Sequence, residues 1–150
     1  MLEQLQRLFR DPTPAAEAPA VNRHQLAAAA LLVTAGAMDD EFDADERVTV
    51  LGLLQSRFGL TAAEATELLE EAEVMARESV DLYGFTSAIK AGFPPEERID
   101  IIEMVWEVVY TDGALHDHEA SLVRRLCGLL GVSDRESGFA ARRVRARQGL

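Results

Sequence analysis

The chain has 150 residues, with 15 Lys and Arg against 26 Asp and Glu, a formal net charge of -11. That length suits one domain with a proper core, since a chain of this size buries roughly 70% of its unfolded surface; a surface this negative repels phosphate backbones, which excludes nucleic acid as a partner. A single cysteine, Cys127, excludes an intrachain disulfide and points to a cytoplasmic setting.

In chain order, residues 1–10 place Leu2, Leu5, Leu8 and Phe9 at helical spacing, a short amphipathic helix. Glu3, Gln4, Gln6, Arg7 and Arg10 lie among those leucines, so the segment does not read as a secretory signal. Residues 11–21 form a Pro/Ala-rich linker with Pro12, Pro14 and Pro19. The tethered helix has three places to dock: the body of the protein, a partner, or a membrane surface.

Residues 22–150 read as one helical domain. Capping boxes at Asp43/Glu46, Thr61/Glu64 and Ser133/Glu136 mark helix starts, and Pro94-Pro95 opens another. Helices are expected near 22–38, 44–58, 62–78, 81–91, 95–111, 117–130 and 134–147, with no strand. The apolar run Leu26 to Met38 falls short of the about 20 residues that cross a bilayer and reads as a buried core helix.

A shift of 73 residues lays Leu26, Leu31, Leu32 and Val33 on Ile99, Met104, Val105 and Trp106, apolar on apolar. It also pairs Asp39 with Asp112, Phe42 with Leu115 and Glu46 with Glu119; one residue of slippage later, Leu60-Thr61 meets Val132-Ser133. Repeat copies therefore span about 22–61 and 95–133, each a helix, an acidic turn, a helix and a capped exit. Neither helix pair can bury both apolar faces alone, so the expected fold is all-α: one compact bundle of about seven helices with a pseudo-twofold axis relating the acidic turns.

The segment Ala37-Met38-Asp39-Asp40 through Glu46, and Tyr110-Thr111-Asp112-Gly113 through Glu119 followed by Leu129 to Glu136, resemble the paired Asp-Gly turn and glutamate of the tellurite-resistance TerB family. The first copy departs from that pattern, with Asp40 in the usual glycine position. The resemblance implies an all-helical, non-enzymatic module of a tellurite or metal-stress response, with a divalent cation such as calcium or magnesium at the acidic turns. It also implies other stress-response proteins as partners, near the inner membrane. TerB-like domains occur in membrane-anchored J-domain co-chaperones, but this sequence has no His-Pro-Asp motif.

The residues leave the chemistry open. Six carboxylates between Asp39 and Glu46 form the oxygen-rich cluster that hard cations take, and the candidate ligands are Asp39, Asp40, Glu46, Asp112 and Glu119. The EF-hand pattern fails, because Ala44 and Val50 stand where its glycine and bidentate glutamate belong. Capping alone explains Asp43, Glu46 and Glu119, and leaves Asp39 and Asp112 without a structural role. Two readings compete with the cation module: an interaction or co-chaperone-associated adaptor without metal, and an enzyme built on the same carboxylates.

Elsewhere the bland readings prevail. His116-Asp117-His118 reads as a solvated turn in preference to a zinc or nickel site, and Cys127 as a core residue in preference to a nucleophile. His24 carries no assigned role. Glu64, Glu67, Glu70, Glu71, Glu73 and Glu78 read as a solvated acidic face or a dock for a basic partner, and Arg142, Arg143, Arg145 and Arg147 as dipole complements able to meet anionic lipid or that acidic face.

Overall fold

The computed structural model describes residues 22–38, 42–78 and 81–150. The helix expected at 1–10, the linker at 11–21, and the candidate ligands Asp39 and Asp40 lie outside the described residues. Seven α-helices form the described part: α1 (Arg23–Gly36), α2 (Ala44–Phe58), α3 (Ala62–Glu78), α4 (Leu82–Gly92), α5 (Pro95–Val109), α6 (Asp117–Leu130) and α7 (Asp134–Gln148). A 3-10 turn, Tyr110–Asp112, joins α5 to the second acidic turn. No strand occurs among the described residues.

Local chemistry sets the helix starts. The Asp43 carboxylate accepts from Glu46 N at 2.8 Å while Asp43 N donates to Glu46 Oε1 at 3.0 Å, and Ser133 and Glu136 make the same reciprocal pair at 3.0 Å each. Thr61 and Glu64 do likewise at 3.1 and 2.9 Å. Pro95 takes the first position of α5, where its missing N–H costs nothing. The expected ends at 38 and 111 ran two residues long: α1 stops at Gly36, and the chain after Val109 tightens into the 3-10 turn.

The centre of the bundle is α1, which packs on α2, α3, α4 and α5. Ala28, Ala29, Ala30, Leu31 and Leu32 are wholly buried, so no polar stripe is needed on this helix, and its small side chains let four neighbours approach. The second copy repeats the plan around α5, which packs on α6 and α7 as α1 packs on α2 and α3. Both second helices also end alike. Gly59 and Gly131 adopt left-handed backbone (φ 67° and 73°), and the next residue's N–H returns to a carbonyl of the last turn, Leu60 N to Gln55 O and Val132 N to Cys127 O.

The fourth helix lies outside the repeat and is held to α1 through His24. Its Nδ1 donates to the Ala88 carbonyl at 3.1 Å, and its ring meets Phe93 edge-on at 6.5 Å. In the second copy, Trp106 donates from Nε1 to Ser137 Oγ at 3.0 Å and stacks on Tyr110. Cys127 is 2% exposed beside Leu126 and Leu130, and burial pushes its thiol up, as a core residue requires and a nucleophile does not.

Candidate functional site: two acidic turns at one end of the bundle

Each acidic turn follows the C-terminal end of a central helix, and those ends meet. Gly36, the last residue of α1, lies so close to Val108 of α5 that a Cβ there would sit 3.2 Å from Val108 Cγ1. Just beyond, the Thr111 hydroxyl donates to the Glu107 carbonyl at 3.1 Å and lies 3.2 Å from Thr49 Oγ1 on α2. The first half of α2 and the turn after α5 are thereby joined.

Of the sequence-predicted residues, Asp112 and Glu119 lie near enough to Glu46 for their charges to act on it. Burial raises the Glu46 carboxyl above the ordinary carboxylate range; Asp43, Asp112 and Glu119 raise it further by repulsion, and the Asp43 backbone hydrogen bond only partly opposes them. Glu119 is buried at 5% exposure, and its Oε1 accepts from His116 N at 3.0 Å, the counterpart of the Glu46 bond to Asp43 N. The two third-position glutamates thus cap their helices with one oxygen each while lying in one another's field.

Asp112 is the residue whose sequence-based reading changes. It was expected to lack a structural role, yet its Oδ1 accepts from Ala114 N at 3.1 Å, closing an Asx turn, and its Oδ2 lies 3.6 Å from His116 Nε2. Gly113 then takes φ 84°. His116, Asp117 and His118 are all exposed, as a solvated turn should be.

Among the described residues no three His, Cys, Asp or Glu side chains are placed to hold a metal ion. Glu46, Asp112 and Glu119 supply hard oxygen donors, the kind that calcium or magnesium takes.

The chemistry that sequence reasoning missed lies elsewhere, at Glu103. This carboxylate, 4% exposed in the middle of α5, meets Arg143 (2.7 Å) and Arg147 (2.8 Å) from α7 and Arg57 (3.1 Å) from the last turn of α2. Arg147 also pairs with Glu107. Burial raises the Glu103 carboxyl, but hydrogen bonds from Arg143, Arg147 and Arg57 outweigh it and leave it below the ordinary range. The signal was present in the sequence: Glu103 interrupts the apolar run Ile101 to Trp106, and the 73-residue shift lays it on Ala30.

The C-terminal arginines are engaged accordingly. Arg143 and Arg147 face carboxylates of α5 and not the glutamates of α3; Arg145 donates to the Tyr110 hydroxyl at 3.0 Å, and Arg142 lies over the Phe139 ring. The α3 glutamates are not one solvated face either. Glu73 is half-buried and bonds Arg47 of α2 through both oxygens at 3.1 Å, whereas Glu64, Glu70 and Glu78 are exposed.

The family model described as tellurite resistance protein TerB matches residues 25–142. The chain belongs to the TerB family. The match runs from the first turn of α1 into α7 and takes in both acidic turns, while Arg143 and Arg147 of the Glu103 cluster fall just beyond it. No curated protein and no solved structure matches the chain. The TerB assignment makes it a tellurite-resistance-related module, and among the described residues no helix is long and apolar enough to cross a membrane.

Proposed function

We propose that this TerB domain is a non-enzymatic, cytoplasmic module of a metal-stress response that takes a divalent cation, calcium or magnesium, where its two acidic turns converge. Glu46 of α2, Asp112 of the 3-10 turn and Glu119 of α6 hold the ion, and Asp39 and Asp40 complete the ligand set. The observation that carries this reading is the meeting of the α1 and α5 ends, Gly36 against Val108, which sets the Glu46 carboxyl in the field of Asp112 and Glu119. Helix capping by itself calls for no such convergence. Like charges gathered from both halves of a fold cost free energy that a bound cation would offset.

Binding to the folded state alone stabilises it by about 2.7 kcal/mol at a hundred times Kd. For a domain of this size that raises the melting temperature by roughly 5–10 °C. The expected result is therefore a clear rise in Tm with millimolar calcium or magnesium, lost in Asp39→Asn/Asp112→Asn. A Tm indifferent to both cations in the unsubstituted chain would rule the site out and leave the adaptor reading, in which the turns only cap helices and a stress-response protein is the ligand.

A further inference from the structure

The helix α3 carries on one flank a buried carboxylate oxygen to which no described residue donates a hydrogen bond. It packs chiefly on α1 and α2, with Ala65, Leu69 and Ala72 wholly buried along its core stripe. The pairing of Glu73 with Arg47 places α2 on one side of that stripe. On the opposite side, at steps of three and four, stand Leu68, Glu71 and Met75. Leu68 is only 5% exposed, Met75 is half-buried, and Glu71 Oε1 is shut off from solvent with no hydrogen-bond partner among the described residues. Burial, and then repulsion from Glu67, raises the Glu71 carboxyl. An unpaired buried carboxylate oxygen is costly and calls for a donor from outside the described helices.

The N-terminal segment meets the requirements of length, apolarity and charge. A linker spanning residues 11–21 reaches about 36 Å when extended, farther than the roughly 21 Å length of α1. Every point along α3, which packs on α1, is therefore within reach of residues 1–10. The stripe Leu2, Leu5, Leu8 and Phe9 needs an apolar cover, and Arg7, Arg10 and the α-amino group bring positive charge to a helix bearing Glu67, Glu70 and Glu71. We infer that residues 2–9 dock as an amphipathic helix along the Leu68–Glu71–Met75 flank of α3, within the same molecule, so that the domain is completed by its own N-terminus.

Hydrogen exchange on the full chain tests this. In Leu5→Asp/Leu8→Asp the amides of residues 68–76 are expected to exchange at least tenfold faster, with those of α6 unchanged as an internal control. Reversing charge in Arg7→Glu/Arg10→Glu is expected to do the same more weakly, and Glu67→Lys/Glu71→Lys to restore protection in that background. Unaltered exchange in the leucine variant overturns the proposal. So does protection that disappears on dilution together with a dimer seen by sedimentation, because the occupant is then a second copy.

Discussion

His24 and Gly92 form a contact that neither residue announces. The His24 ring occupies the space where a side chain at 92 would begin: a Cβ on Gly92 would lie 2.0 Å from its Cγ, and the ring is held there by the Ala88 carbonyl. Gly92→Ala must therefore displace the ring, break that bond and loosen α4 from α1, at a cost of about 1–3 kcal/mol. Calorimetry or urea unfolding should show this loss, and Gly92→Ala/His24→Ala should cost less than the two single changes added together. Strict additivity would mean that the ring does not occupy the glycine's space. Asp112 belongs to the same scale. Its Asx turn and its approach to His116 give it structural work, so it can cap the turn and still lend charge to the site.

At the scale of helices, Glu103 ties α2 and α7 to α5. Removing a buried charge that satisfies several partners leaves those partners uncompensated, so Glu103→Ala is expected to cost about 3 kcal/mol, or roughly 10 °C in Tm. The pH dependence has a definite sign. A carboxyl depressed in the folded state stabilises it fully above the unfolded value, near pH 4.3 for glutamate, and loses that contribution as pH falls through the folded value. The stability gap between the unsubstituted protein and Glu103→Gln should accordingly be wide at pH 7 and narrow as pH drops below about 4; a gap that stays constant would show that the cluster does not hold the helices through charge. What was legible in the sequence follows the same division. Helix starts were readable because a capping box sits within four residues, and α1 was readable as core because it is apolar on every side. The Glu103 cluster joins residues 40 and 46 positions apart, and no local pattern encodes such a pairing. The two helix ends that overran did so because apolar residues continue past the stop, Ala37 and Met38 after α1 and Tyr110, buried within the 3-10 turn, after α5, so periodicity alone does not mark it.

Over the whole molecule, duplication accounts for where charge collects. Two copies packed through α1 and α5 bring the C-terminal ends of those helices together, and with them the turns that follow. A chain of net charge -11 thereby gathers Asp43, Glu46, Asp112 and Glu119 at one end of its bundle. The sequence repeat forecast a twofold relation between the turns but not their proximity, which depends on how the two central helices cross. The carboxyl carbon of Glu46, followed by NMR through a pH titration with and without calcium or magnesium, reads this convergence most directly. Without cation it should titrate above the usual glutamate range and move down in Asp112→Asn; with millimolar cation it should move down in the unsubstituted chain as the ion replaces the proton. An ordinary titration that neither the cation nor Asp112→Asn alters would contradict a shared site at the paired turns.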